Sequence, residues 1–408
     1  MNILLISQYF PPEPGAGTGR VSYYAKLLKE LGHEVMILCG IPNYSDGKIH
    51  KGYKNRLWMK EVQDGLVIYR TLVFPTSYSS SWRRFFNYLV FTISSLAVGF
   101  FLPRADVIIA SSPPPSSGLT GLMLSLLKGT PLVFEVRDVW PGAAKALGYL
   151  RNRLLLNLNI FFEKRIYDRS KYIITVTEDT KNLILRYDKK LNPNKVKIIT
   201  NGVDLQIFDQ VKVRTRERNL VNKFVTVYAG TLGLQQGVRT LVEAIKLLQK
   251  EDSIKFLIIG DGADRHLLEE VKEEGNSKNV LLKPIQPYKN VVEYIKASNL
   301  GLTILKKNEY LDAAYPVKAF DYMAASKPVL VSGGLAMKKL IEENNLGIWV
   351  PPEDPKALAS ALIKMSKLSQ EERDGMGKRG RRLVEKTFNR KKQAQELEKI
   401  INIIKREK

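Results

Sequence analysis

Short apolar runs, each closed by glycine or a polar pair and followed by a helix-period stretch, recur along the whole chain. Residues 2–7 form such a run and lead through QYFPPEPGAGTGR into the face Val21, Tyr24, Ala25, Leu27, Leu28 and Leu31. Far downstream, residues 224–229 end in Gly230-Thr231-Leu232-Gly233, and Val238, Leu241, Val242, Ile245 and Leu248 follow at helical spacing. Residues 256–259 end in Gly260-Asp261-Gly262. A run that is apolar on both faces is a strand covered on both sides, and strand–helix alternation of this kind builds a parallel sheet with helices on each face. The fold class is therefore α/β and doubly wound. With 408 residues the chain exceeds one ordinary core, so two such domains are expected. The turn Asn201-Gly202-Val203-Asp204 is the natural break, giving domains 1–204 and 205–385. A final helix, 386–408, has Leu397, Ile400, Ile401 and Ile404 on one face and is expected to pack back on the first domain.

Hydrophobic content of 44% with 26% charged residues is globular. One cysteine, Cys39, excludes a disulfide framework and a cysteine-rich metal site, and fits a reducing cytoplasm. MNILLISQYF lacks a basic region before its apolar run and reads as a first strand, not a signal peptide. The net charge is +23, with +12 in residues 1–204 and +11 in the remainder, so the excess is not a basic tail. Nucleic acid, anionic lipid and phosphorylated small molecules are all compatible partners.

The apolar run 300–305 reads as a strand, and residues 306–334 follow it with a polar loop and then a helix bearing Val317, Phe320, Met323 and Ala324 on one face. Pro316 suits the first turn of that helix, since its missing N–H would be unpaired there. Lys318 then stands among first-turn N–H groups, where a cation weakens the helix and is better explained by a bound anion. Asp321 lies three residues on, on the same side. This is either a nucleotide-diphosphate pocket at the carboxyl end of a parallel sheet or an ordinary strand–helix–strand unit with a charged rim.

The first glycine loop fails the dinucleotide fingerprint. Gly15 and Gly17 are present, but the third position is Arg20, and Cys39-Gly40-Ile41 closes the second strand where an acid should hold a ribose. A nicotinamide enzyme is thereby disfavoured. The glycines serve a tight turn or a phosphate or sugar contact, and Glu13 is a candidate for bonding a hydroxyl. Arg137-Asp138-Val139-Trp140-Pro141 follows the run 132–136, where charged residues face a ligand crevice or close a loop as an ion pair. Residues 85–102 carry no charge and are flanked by Trp82, Arg83 and Arg84 before and by Pro103 and Arg104 after. As a helix of about 27 Å this segment is a buried core helix, a span, or an interfacial helix with Trp and Arg at the headgroups. The last reading makes 82–104 a membrane-associating segment.

The PPEPGAGTGR loop, LGHEV, EVRDVWP, ITNGVDLQIF, YAGTLG, IIGDG and YPVKAFDYMAASKPVL, in that order, resemble the retaining glycosyltransferases of family four. SPPP, EVRDVWP and the glycine loop are similar to the fucosamine-transferase-like branch, which builds surface polysaccharides on polyprenyl carriers. The resemblance implies the GT-B fold, two doubly wound Rossmann-like domains facing a central cleft. It implies transfer of a sugar, a UDP-amino sugar favoured, to a polyprenyl-diphosphate-linked or other glycan acceptor by a cytoplasmic enzyme at the inner face of the membrane. The nucleotide sugar is the co-substrate, with no further cofactor, no metal and no nucleic acid expected.

By the same resemblance Gly15 and Gly17 face the sugar and diphosphate, and Gly230 and Gly233 offer N–H groups to the diphosphate. Glu13, Arg137, Thr231, Gly260, Asp312 and Val317 complete the substrate-binding set. Asp321 stands where the family places a ribose-binding Glu. Three departures follow. The earlier family acid falls on Ala313, beside Asp312. The two usual diphosphate cations fall on Thr231 and Gln236, leaving Lys318. The first-domain His falls on Arg137, followed by Asp138, a candidate to orient the acceptor hydroxyl. Lys318, Asp138 and Asp321 are the expected catalytic residues. A GT-B sugar-nucleotide epimerase and a basic nucleic-acid-binding protein are the rivals; the first needs carboxylates for proton transfer, and the second lacks a recognition motif here.

Overall fold

The computed structural model describes residues 1–43, 47–76, 81–139, 142, 153–213, 220, 222–233, 235–273 and 278–407. Trp140 and Pro141 of the EVRDVWP stretch lie outside them. The chain divides into two compact units, Met1–Thr200 with Lys391–Lys408, and Asn201–Arg390.

The first unit runs β1 (Asn2–Ile6), α1 (Ala16–Glu30), β2 (Glu34–Gly40), β3 (Trp58–Gln63), β4 (Leu66–Thr71), α2 (Ser81–Phe101), β5 (Val107–Ser112), α3 (Pro115–Lys128), β6 (Leu132–Val136), α4 (Arg153–Arg169), β7 (Tyr172–Thr175), α5 (Glu178–Tyr187) and β8 (Val196–Ile198). Its strands form one sheet in the order β3-β4-β2-β1-β5-β6-β7-β8, parallel except for β3 at the edge. The β3–β4 hairpin was not legible as an apolar run. Its edge strand, WMKEVQ, is largely exposed, and its turn is Asp64-Gly65, both at positive φ, the backbone that a two-residue hairpin turn requires.

Successive residues of each strand serve opposite faces. Ile3, Leu5, Ile37, Cys39, Ile109 and Val133 pack with α1 and with the last helix of the chain, whose Leu397, Ile401 and Ile404 are buried. On the other face a side chain at Gly99 would meet Leu38 and Leu124, and one at Gly118 would meet Phe134 and Ile166, so α2, α3 and α4 cover that side.

Helix α2 takes up nearly all of residues 85–102. It is long and apolar enough to cross a membrane, by length and composition alone. Yet its polar residues are the inward ones. Asn87 bonds Gln8 and donates to Phe74 O at 2.8 Å, Ser94 donates to Leu72 O at 2.7 Å, and Ser95 pairs with Thr120 at 2.8 Å. Phe91 is fully buried, whereas Ile93 and Phe101 are 60% and 84% exposed. The segment is thus half core helix and half uncovered apolar surface.

The second unit runs α6 (Leu205–Gln210), β9 (Phe224–Ala229), α7 (Val238–Leu247), β10 (Ile254–Ile259), α8 (Arg265–Glu273), β11 (Val280–Lys283), α9 (Tyr288–Ala297), β12 (Leu300–Ile304), α10 (Glu309–Asp312), α11 (Val317–Ala324), β13 (Val329–Ser332), α12 (Leu335–Asn344), β14 (Gly347–Val350), α13 (Pro355–Lys367) and α14 (Gln370–Thr387); α15 (Arg390–Arg406) then belongs to the first unit. The sheet order β11-β10-β9-β12-β13-β14 is parallel throughout and reverses direction at β9/β12, the switch point where open α/β sheets bind ligands.

Candidate active site

The second unit brings its glycines and Lys318 together at the carboxyl end of β9. Gly230 has φ 144° and Gly260 φ 143°, backbone that side chains rarely adopt. A Cβ on Gly260 would lie 2.0 Å from Gly230 O, so the two loops touch through bare backbone. Leu232 N donates to Asp261 O at 2.8 Å and fixes the loop that carries Gly233. A Cβ on Gly230 would lie 3.1 Å from both Cε and Nζ of Lys318, so the lysine stem crosses the loop directly.

Helix α11 aims that stem. Pro316 is its N-cap, not a first-turn residue, and supplies no side-chain cap; Val317 and Lys318 open the first turn. Tyr322 anchors the helix, accepting from Ala229 N and donating to Leu302 O, each at 3.0 Å, which ties α11 to the ends of β9 and β12. Lys318 Nζ donates to the Tyr228 hydroxyl at 2.7 Å and to Gln236 Oε1 at 3.1 Å, and sits 4.0 Å from the Tyr228 ring centroid. Burial pushes this amine down to about 7, with Asp321 pulling weakly the other way. Asp321 accepts from the Tyr288 hydroxyl at 2.8 Å, and burial pushes its carboxyl up to about 6 against that bond. Thr231 is exposed, and Asp312 ends α10 with no ion pair to Lys318 among the described residues.

The first unit assembles a second constellation at the carboxyl ends of β5 and β6. Gly15 caps α1 at φ 143°. A Cβ on Gly17 would lie 1.8 Å from Arg137 Nη1, so the guanidinium rests on the first turn of α1 and a side chain at position 17 would have to displace it. Arg137 donates to Pro113 O at 2.7 Å and to Ser111 Oγ at 3.2 Å, and Ser111 donates to Glu135 at 2.5 Å. Glu135 also pairs with Arg20 at 2.7 Å, and Arg20 reaches Thr200 O and Ile199 O at 2.6 and 2.7 Å. The arginine that breaks the dinucleotide fingerprint is therefore a buried tie between α1, β6 and the end of the sheet. The two guanidinium groups hold the Glu135 carboxyl below its ordinary range despite its burial.

Glu13 is a correction. It is buried, and its two carboxylate oxygens accept from Phe10 N at 3.1 Å and Asn43 N at 2.8 Å, which makes it an organiser of its own loop. Asp138 is exposed beside Arg137. Sequence reading missed Tyr228, Tyr288, Ser111 and Glu135 as members of these clusters. Tyr288 meets Asp321 from 33 residues away, and Glu135 meets Arg20 from 115 residues away, distances that no local spacing reveals. Among the described residues no group of three or more His, Cys, Asp or Glu is placed to hold a metal ion.

Residues 18–207 match the family described as Glycosyltransferase Family 4, and residues 210–383 match Glycosyl transferases group 1. The chain is a family-four glycosyltransferase. The glycosyltransferase is 23% identical to a putative colanic acid biosynthesis glycosyl transferase of Escherichia coli, over 89% of this chain and 91% of that one. It is 22% identical to a capsular polysaccharide biosynthesis glycosyltransferase of Staphylococcus aureus, over 73% and 77% of the two chains. Its fold matches the Anabaena HepE protein, solved in complex with UDP-glucose, with a TM-score of 0.71 at 13% identity, covering 98% of this chain and 99% of that one. Both of these relatives are named for polysaccharide biosynthesis, and the two units of this chain carry the parallel sheets of the GT-B fold.

Proposed function

We propose that this glycosyltransferase moves a sugar, with retention, from a nucleotide-diphosphate sugar to a polyprenyl-diphosphate-linked glycan at the inner face of the membrane. A UDP-amino sugar is the favoured donor, in the fucosamine-transferase-like manner. The observation that carries the reading is the Lys318 amine lying across Gly230 at the switch point of the second sheet. When the bond from the sugar anomeric carbon to the diphosphate oxygen breaks, negative charge grows on the leaving oxygens. Lys318, the first-turn N–H groups of α11 and the loop N–H of Gly233 are suited to meet it, whereas the Gly230 N–H, expected to join them, is donated to Ile259 O at 2.9 Å. The acceptor oxygen forms the new bond on the same face of the sugar, and its proton passes to the departing phosphate oxygen. Asp321 is assigned the ribose, and Asp138 the orientation of the acceptor hydroxyl.

A membrane-borne acceptor is supported by the uncovered side of the first unit. Helices α2, α3 and α4 pack side by side on one face of its sheet. Their outward stripes are apolar, with Phe86, Ile93 and Phe101 on α2, Leu126 and Leu127 on α3, and Leu154 and Phe161 on α4, all exposed. Arg83, Arg104, Arg153 and Arg165 are exposed on or next to these helices. An apolar sheet of side chains rimmed by guanidinium groups suits the headgroup–acyl boundary of an anionic bilayer. Incubation of the protein with labelled nucleotide sugars and a membrane-lipid extract tests the function. Label transferred to an organic-soluble product, unaffected by excess chelator, is the expected result. Interconversion of the nucleotide sugar with no transfer would refute it.

A further inference from the structure

The two groups that receive the Lys318 amine are both neutral. Among the described residues none of the ion pairs engages it. The Tyr228 hydroxyl has one proton and donates it to Thr231 O at 2.6 Å, so toward Lys318 it acts as an acceptor. Gln236 is held in turn by its backbone N–H, which donates to Gly233 O at 2.9 Å. Both acceptors thus belong to β9 and the loop 230–236, and they fasten the amine to the segment whose N–H groups are assigned the diphosphate. An ammonium has three donors, and this arrangement uses two.

Resting on the assignment of the nucleotide to the second unit, we infer that Tyr228 and Gln236 are positioning residues: they hold the Lys318 amine on the glycine loop without neutralising it, so that the nucleotide diphosphate supplies the counter-charge and binds with uptake of a proton. The proton comes from solvent and ends on Nζ. The titratable groups that face this amine are few. Asp321, one turn along α11, favours its charged form; the Tyr228 and Tyr322 phenols, both raised by burial, stay protonated. With the amine at about 7 in the free protein, roughly nine in ten copies are uncharged at pH 8, and a bound diphosphate restores the charge.

Calorimetric titration with UDP, GDP, ADP, CDP and dTDP, at pH 8 in buffers of differing ionisation heat, counts the protons. The Lys318→Met protein is the reference, because protons on the nucleotide itself titrate alike in both. Wild-type protein is expected to take up about one proton more than Lys318→Met at pH 8 and close to none more at pH 6. Tyr228→Phe keeps the ring but removes an acceptor for the charged form, and Gln236→Leu removes the other. Each is expected to weaken binding about tenfold more at pH 8 than at pH 6. Should Tyr228→Phe fail to fold, Gln236→Leu decides. Binding without the extra proton, or variants weakened equally at both pH values, overturns this inference and leaves the nucleotide assignment standing. Absence of binding by all five nucleotides overturns both.

Discussion

Replacing Lys318 by Met is expected to make the second unit more stable while it removes turnover. The lysine amine falls from 10.5 in the unfolded chain to about 7 in the fold. At about 1.4 kcal/mol per pH unit, keeping that amine charged costs the folded state on the order of 5 kcal/mol. The group is enclosed but not wholly sealed, so about 2–3 kcal/mol is the more realistic penalty after solvent relaxation. The sign follows from proton counts. Between pH 7 and 10.5 the unfolded chain holds more protons than the fold, so stability rises with pH across that window. Below pH 7 the penalty is complete.

Methionine matches the unbranched stem and carries no charge, and Tyr228 keeps its bond to Thr231 O. At about 2–4 °C per kcal/mol for a domain of this size, Lys318→Met should raise the melting temperature by roughly 5–10 °C at pH 6.5. By pH 9.5 the gain should shrink to about a third or less. Loss of the lysine over the glycine loop should meanwhile cost at least about 100-fold in kcat. Differential scanning fluorimetry across pH, paired with the transfer assay, reads both. A melting temperature unchanged or lowered at pH 6.5, or a gain independent of pH, would refute the burial reasoning. Normal turnover would remove Lys318 from the chemistry.

Three further outcomes are expected. Gly260→Ala places a Cβ 2.0 Å from Gly230 O at φ 143°, a backbone collision expected to cost about 3 kcal/mol or more; a melting temperature within a degree of wild type would contradict the contact. Gly17→Ala drives its methyl to 1.8 Å from Arg137 Nη1, so Arg137→Ala should relieve it, with a coupling of at least about 1 kcal/mol in a double-mutant cycle; simple additivity would contradict the packing. Phe101→Glu combined with Leu127→Glu should reduce sedimentation with anionic vesicles severalfold while nucleotide binding is retained, and unchanged sedimentation would reject the docking face.

The sheet strands were legible because they are apolar on both faces, a pattern that only a doubly covered sheet produces. The glycines were legible too, since their positions at strand ends are a local property of the sequence. What escaped were residues whose meaning is set by a distant partner. Arg20 looked like a defect in a glycine motif until Glu135 stood beside it. Glu13 stood as a candidate for bonding a hydroxyl, yet its carboxylate bonds backbone at both oxygens. The β3 strand carries Lys60 and Glu61 on an exposed edge and so lacks an apolar signature. Helix α3 starts at Pro115, directly after prolines that, read alone, mark only the end of a strand. Asn87, Ser94 and Ser95 interrupt the uncharged run 85–102 because they face the protein, where their partners are distant in sequence.

The two basic clusters differ in how their charge is met, and that difference separates scaffold from site. In the first unit Glu135 serves Arg20 directly and Arg137 at 4.0 Å, and the remaining guanidinium donors reach backbone carbonyls and Ser111. Asp138 adds a further favourable charge next to Arg137. Removing one member there would strand the others, so these arginines are best understood as the rivets of α1 against the sheet. In the second unit the amine of Lys318 is enclosed as deeply, yet its bonded partners are a phenol and an amide, and the carboxylate on its own helix is occupied by Tyr288. A core selected for stability alone would shed such a charge or pair it. That charge, lying across a bare glycine backbone at the switch point of a parallel sheet, is the feature on which the proposed diphosphate site rests.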